Sequence, residues 1–388
     1  MRDRKLLMIP GPIESTPEVL QAMGTATTSH VAPDFIEAFA TALKRMREVL
    51  MAPSGQPFVI AGSGTLAMEM TAANLIEPGD KALVVNTGVF GDRFAEILER
   101  HGAVVKHVSA PGLGDVPPIS EIKARLGEGG YRMMTITHVD TSTGVVADVE
   151  RLAALGREHD VLVAVDGVCS VAGEELRQEE WGVDVVITGS QKAIGVPPGL
   201  ALVVAGSRAM DVFRRRTAPG VNYYADWSKW LPIMKAYEAR EPSYFGTPPV
   251  NLVWALNTSL GQILEEGLNV RFERHRMISR AMKEAVTALG MSQVPVRGDI
   301  AANTLTAPYF PDGVDRSVLG HMKEAGVVLA GGLHPEIKER YFRIGHMGAV
   351  DGADVRVTIG AVEEGLARSG YQFESGAGLA AAQEVLAQ

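Results

Sequence analysis

Short apolar runs and amphipathic stretches alternate along the first half of this chain. FVIAGSGT leads into LAMEMTAANLI, and ALVVNTGVFG leads into DRFAEILERHG. AVVKHVSA precedes ISEIKARLGEG, and RMMTITHVDTSTG precedes VERLAALGREHD. VLVAVDGV, VDVVITGSQK and LALVVAG complete the series. Runs rich in Val and Ile read as strands covered on both faces. Strands alternating with helices of this length predict βαβ units, and hence an α/β fold around a mainly parallel sheet.

Elsewhere the rhythm changes. Residues 17–50 read as helical, with an interruption near His30-Val31-Ala32-Pro33. The stretch 222–249, rich in Tyr, Trp and Pro, reads as irregular and leads into a helix from about Asn251. VRFERHRMISRAMKEAVTALG reads as a long connecting helix. Beyond about Met291, NTLTAPYF, DRSVLGHMKEAG, VVLAGG and YFRIGHMG predict a smaller α+β unit that ends in helix. At 388 residues the chain is long enough for two domains. The expected division is an N-terminal arm (1–16), a large domain (17–265) and a small C-terminal domain (266–388).

Composition narrows the partners. A net charge of -9 disfavours nucleic acid or an anionic membrane as the main partner. The basic run Arg214-Arg215-Arg216 is short and lacks interleaved aromatics. One cysteine, Cys169, excludes an intramolecular disulfide and a multi-cysteine zinc cluster. MRDRKLLMIPGP does not read as a signal peptide, and no segment is apolar for long enough to span a bilayer, so the expected location is cytoplasmic.

Candidate chemistry lies where strands end, because ligands of open parallel sheets sit at the carboxyl edge. Gly62-Ser63-Gly64-Thr65 stands directly before a helix, where N–H groups and small hydroxyls suit a phosphate. A tight structural turn explains that loop equally well. With Ala67 it meets a loose G-x-G-x-x-A pattern, but the next strand ends in Asn86 rather than an acid, so a dinucleotide is the lesser reading. Asp166 ends VLVAVD, where it is either a loop brace or a buried carboxylate facing a cationic ring. Lys192 follows VVIT, at a place where most lysines would turn to water. Together these parts suit pyridoxal phosphate, which needs a lysine to bond its aldehyde, an anion pocket, an aromatic over its ring and an acid at its nitrogen. Burial would help Lys192 lose the charge that stops it acting as a nucleophile.

The motifs PGP, AGSGTLAMEM, NTGVFGDR, THVDTSTG, VDGVCS, TGSQKAIGVPPG, YFGTPPV and YFRIGHMG span nearly the whole chain. In these residues the sequence resembles the class V aminotransferases of the fold-type-I pyridoxal-phosphate enzymes, nearest the alanine–glyoxylate and serine–pyruvate (serine–glyoxylate) group. The resemblance implies a mainly parallel seven-stranded sheet and a homodimer with shared active sites. It implies Lys192 as the lysine that bonds the cofactor and shuttles protons, with Asp166 at the pyridine nitrogen. Ser63, Gly64, Thr65 and Gln191 would hold the phosphate, Phe90 would cover the ring and Thr141 would hydrogen-bond near it. Tyr244 and Thr247 would reach the neighbouring subunit's phosphate. Arg343 would clamp the substrate carboxylate, as its planar fork allows, and Gly11 would limit the space beside the substrate side chain.

Two residues depart from that pattern. Phe90 stands where many relatives carry tryptophan or tyrosine, which keeps stacking but loses a polar edge. Thr65 stands where some animal relatives carry histidine. His138 and Asp140 could suggest a metal, but loop bracing is the better reading. Cys169, after a buried strand, reads as a core residue, against a cysteine-desulfurase function. The expected activity is transfer of an amino group from alanine or serine to glyoxylate or pyruvate. Alternatives are pyridoxamine–pyruvate or aminoethylphosphonate transamination, a dinucleotide-dependent oxidoreductase, or a binding protein that kept the fold.

Overall fold

The computed structural model describes residues 5–218 and 222–388, so the first four residues of the expected arm lie outside the described residues. At its centre are strands β1 (Gln56–Ala61), β2 (Lys81–Asn86), β3 (Val104–Ser109), β4 (Tyr131–Thr137), β5 (Leu162–Asp166), β6 (Val185–Gly189) and β7 (Leu200–Ala205). They form one seven-stranded sheet in the order β1-β7-β6-β5-β4-β2-β3. Only β7 is antiparallel to its neighbours, β1 and β6; the other pairs are parallel. The α/β architecture with its mainly parallel seven-stranded sheet is therefore as expected. Strands β5, β6 and β7 are buried at every position, whereas β3 lies at the edge and is largely open. That explains the polar KHVS in an otherwise apolar series.

Helices α1 (Pro17–Met23) and α2 (Pro33–Val49) precede the sheet. Crossovers between parallel strands are made by α3 (Gly64–Leu75), α4 (Val89–Arg100), α5 (Ile119–Gly127) and α6 (Val149–Glu158). After the sheet come α7 (Ser207–Arg214), α8 (Trp227–Glu238), α9 (Val250–Glu266) and α10 (Leu268–Ala288). The chain closes with α11 (Val318–Glu324), α12 (Gly352–Arg368) and α13 (Ala377–Leu386). A large core surrounds the seven strands with α2, α8 and α9. A second, smaller core joins α10, α11, α12 and α13 to Phe342 and Ile344. None of the helices is long and apolar enough to cross a membrane, among the described residues.

Two expectations need correction. Residues 17–50 do not form a helix interrupted only at 30–33. Gly24 caps α1, and α2 begins at Pro33, whose ring disfavours helix in the residue before it. The stretch 222–249 is not wholly irregular, because α8 lies within it. Asp226 caps α8 by accepting from the Ser228 amide at 2.7 Å. Trp227, Trp230, Met234 and Tyr237 are its buried side, and Trp227 stacks on Phe58 at 5.0 Å. That spacing of three, four and three residues is helical; the internal Pro232 masked it.

The arm is also more integrated than its sequence suggests. Leu6–Leu7 pair in parallel with Val327–Val328, and Leu6 and Met8 are buried in the smaller core. Gly345 donates to the Met8 carbonyl at 2.8 Å. A side chain at Gly345 would collide with the Ile9 carbonyl, so this close crossing requires glycine.

Candidate active site

The sheet brings several loops to one edge. Asp166 is the last residue of β5, in register with Thr137 of β4 and Ile187 of β6. Lys192 lies just beyond β6, Ser63 stands directly before α3 after β1, and Phe90 sits in the first turn of α4 after β2. A cavity of about 300 Å³ is lined by Gly11, Ser63, Gly64, Thr65, Phe90, Thr141, Asp166, Gln191 and Lys192. Nine of the residues singled out from sequence thus meet in one place, at a volume within reach of a small ligand. Larger cavities of about 620 and 590 Å³ lie beside Arg151 and Arg297 and under the arm, and neither contains these groups. Chemistry rather than size singles out the smaller one.

Lys192 is only 8% exposed, and its ammonium donates to the Pro10 carbonyl. Burial lowers its pKa; the nearby Arg343 adds to that effect, while Cys169 and Asp166 oppose it. The shift favours the neutral amine that nucleophilic chemistry needs. Gly11 packs directly on this side chain. It has φ +103, and a Cβ there would stand 2.5 Å from Lys192 Cδ. The space that Gly11 keeps open is thus first the room for Lys192 itself.

Asp166 is 3% exposed and accepts from the Val168 amide at 2.9 Å. Burial pushes its carboxyl up to about 7; Asp140 adds to this, while the Val168 amide, Lys192 and Arg93 pull the other way. A carboxylate so placed gains from a cationic partner in the cavity. Asp140 itself braces the loops. It accepts from the Phe90 amide at 3.0 Å and from the Ser142 amide at 2.8 Å. The loop-bracing reading of Asp140 fits this geometry, and among the described residues no group of three or more candidate ligands could hold a metal ion. His138 is buried, and burial alone lowers its pKa to about 4, so it is neutral near pH 7.

The remaining lining fits pyridoxal phosphate. Ser63 makes no capping bond with its own hydroxyl, so the start of α3 offers its first N–H groups to an anion. The buried side-chain oxygen of Gln191 has no hydrogen-bond partner among the described residues. Phe90 stands at the cavity wall, as an aromatic cover requires. Sequence reasoning missed Arg93. It lines the same cavity, lies 4.7 Å from the Phe90 ring centre and donates to Thr65 Oγ1 at 3.3 Å. Its position one turn beyond Phe90 in NTGVFGDR was the available signal. Cys169 is buried as expected, and burial pushes its thiol up, yet it also touches the cavity.

Three expected residues stand outside the lining. Arg343 sits behind Thr141, donating from Nη1 to the Thr141 carbonyl at 3.2 Å and from Nε to the Gly331 carbonyl at 3.0 Å. These partners are carbonyls, and among the described residues no carboxylate pairs with it, so its charge remains available to an anion. Tyr244 and Thr247 do not line the cavity of their own chain. Tyr244 is 64% exposed and packs 5.3 Å from the His30 ring.

Comparison with known proteins places the chain as a whole. A family model described as aminotransferase class-V matches residues 14–347. Alanine–glyoxylate aminotransferase 1 of Saccharomyces cerevisiae is 40% identical over 88% of this chain and 91% of its own. L-aspartate–glyoxylate aminotransferase of Paracoccus denitrificans is 33% identical over 99% of this chain and 96% of its own. Among solved structures, ureidoglycine–glyoxylate aminotransferase of Bacillus subtilis superposes with a TM-score of 0.92 at 28% identity, covering 100% of this chain and 99% of that one. This chain belongs to the class V aminotransferases and is a pyridoxal-phosphate-dependent enzyme of that family.

Proposed function

We propose that the enzyme moves the amino group of a small amino acid, alanine or serine, to glyoxylate, with pyruvate as the second candidate acceptor. The observation that carries the acceptor is shared among the relatives. Three of them differ in the amino donor their names give, and all three name glyoxylate. A cavity of about 300 Å³, in which Gly11 leaves room for the Lys192 side chain, suits a small substrate. Arg93, whose contacts are a hydroxyl and an aromatic ring, favours aspartate as a second reading for the donor.

Bound pyridoxal phosphate supplies the electron sink that makes an amino acid's α-proton removable. In our reading Lys192 would hold the cofactor at rest, and its Nζ would take up and give back the substrate's α-proton. Asp166 would face the ring nitrogen and hold its proton by charge. Ser63, Gly64, Thr65 and Gln191 would hold the phosphate, Phe90 would cover the ring and Thr141 would hydrogen-bond near it. Arg343 orients the substrate carboxylate through its two-pronged fork. We also infer a homodimer in which Tyr244 and Thr247 complete the partner's phosphate site. Their exposure in their own chain supports this. The arm, a large unit to residue 265 and a small unit from 266 remain our reading of the domains, supported by the two separate cores.

The test is a panel of alanine, serine and aspartate against glyoxylate, and of serine and aspartate against pyruvate, since alanine with pyruvate gives no net reaction. The reading requires the highest kcat/KM with glyoxylate and one of the two small donors. A preference for aspartate moves the assignment to the second reading, and activity with none of these pairs overturns both.

A further inference from the structure

One face of α10 is polar although it is buried. Arg271 is 6% exposed and His275 is 0% exposed, one helical turn apart. Arg271 donates from Nε to the Ala172 carbonyl at 2.7 Å and from Nη2 to the Ala193 carbonyl at 2.8 Å. Ala193 directly follows Lys192, and Ala172 lies in the turn that follows Asp166. His275 Nδ1 stands 2.7 Å from the Arg271 carbonyl, and the Gly348 amide donates to Nε2 at 3.0 Å. A carbonyl only accepts, so Nδ1 must carry the proton and Nε2 must be the free acceptor. Burial, with Arg271 and Arg274 close by, keeps the ring neutral as that pattern requires. Gly348 ends the turn after the strand Phe342–Gly345, which carries Arg343. Arg274 adds a bond to the Gly348 carbonyl at 2.9 Å and shares Glu266 with Arg271.

Buried polar groups of this kind are costly unless every bond is made, and fully made they hold backbone segments in one arrangement. We propose that Arg271 and His275 are positioning residues which fix the separation between Lys192 and Arg343. One holds the backbone beside the lysine, and the other holds the turn behind the arginine. Neither touches the cavity. The inference rests on the proposed roles of Lys192 and Arg343. It deepens that reading by saying what sets the distance between amine and carboxylate clamp, a distance on which reaction geometry depends steeply.

The experiment compares two amines in single-turnover half-reactions: alanine, and ethylamine, which lacks the carboxylate. His275→Leu removes the acceptor for Gly348, while His275→Gln keeps one. We expect His275→Leu to lower the alanine-to-ethylamine rate ratio about tenfold through a raised KM for alanine, and to speed hydrogen exchange at the Gly348 amide. His275→Gln should stay within about threefold of wild type. Arg271→Lys keeps the charge but cannot span two carbonyls and Glu266. It should lower kcat with little change in KM, and it remains informative if His275→Leu does not fold. The same split for both positions, or an unchanged ratio in His275→Leu despite an exposed Gly348 amide, overturns the proposal. Arg343→Gln separates the two levels. If it leaves the ratio intact, the role of Arg343 falls and the inference with it; if it abolishes the ratio while His275→Leu does not, only the inference falls.

Discussion

Asp166 is a carboxyl group held almost dry at a strand end, and its behaviour should differ with and without cofactor. In the protein alone, burial raises it from 3.8 to about 7. The folded state therefore holds a proton that the unfolded chain has released, so stability contributed here is present below pH 3.8 and lost as pH rises through 7. At 1.36 kcal/mol per pH unit this amounts to roughly 4 kcal/mol at most. Denaturant unfolding of cofactor-free protein between pH 4.5 and 7.5 should show that fall, and Asp166→Asn should flatten it; equal slopes would mean that the carboxyl is ionised throughout. In the loaded enzyme the same substitution should keep the cofactor bonded but cost several kcal/mol of transition-state stabilisation, because an amide cannot hold a ring proton by charge. Near-normal turnover by Asp166→Asn would leave the residue only a structural role. Lys192→Ala should end transamination while the protein still folds and takes up cofactor without a covalent bond. Retained turnover, with borohydride labelling another lysine, would remove Lys192 from its role.

At the level of elements, the strand Phe342–Gly345 and the arm form one unit, because Gly345 is crossed closely by Ile9 and Pro10. Gly345→Ala should push the arm away and cost about 1–3 kcal/mol, as overpacking does. The carboxylate substrate's KM should also rise, since the arm and Arg343 share that strand. An unchanged melting temperature together with an unchanged KM would show that the arm yields freely. This coupling was not legible in the sequence, because two-residue pairings such as Leu6–Leu7 with Val327–Val328 leave no periodic signal. The seven sheet strands were legible, since most are short apolar runs bounded by turn residues and they alternate with helical stretches. Strand-end residues such as Asp166 and Lys192 were legible for the same reason. Arg93 was not, because a helical arginine beyond the first turn reads as solvated until the neighbouring loop is placed. Helix α8 was hidden by its proline and by aromatic density, although Trp227, Trp230 and Tyr237 already carried the period.

The whole molecule raises a question that one chain cannot answer, because Tyr244 and Thr247 stand away from the cavity their motif is expected to serve. Tyr244 is 64% exposed and Tyr223, nearby in sequence, is 74% exposed, which is unusual for aromatic side chains without a covering surface. A second copy of the chain would supply that surface, and two-fold symmetry would then carry each Tyr244 toward the other chain's site. Complementation tests this directly. A chain with Lys192→Ala has no functional lysine but intact Tyr244 and Thr247; a chain with Tyr244→Phe and Thr247→Ala has the opposite defect. If sites are shared, a mixed dimer holds one site with both lesions and one site with neither. Random reassortment of equal amounts makes half the dimers mixed, so activity should rise to about a quarter of wild type, above either parent. If each loop serves its own chain, every site in the mixed dimer carries one lesion and no activity is gained. Native mass spectrometry on the same sample counts the mixed dimers, so absence of exchange cannot be mistaken for absence of sharing. The outcome depends only on which chain's loop reaches which phosphate, whatever amino donor the enzyme prefers.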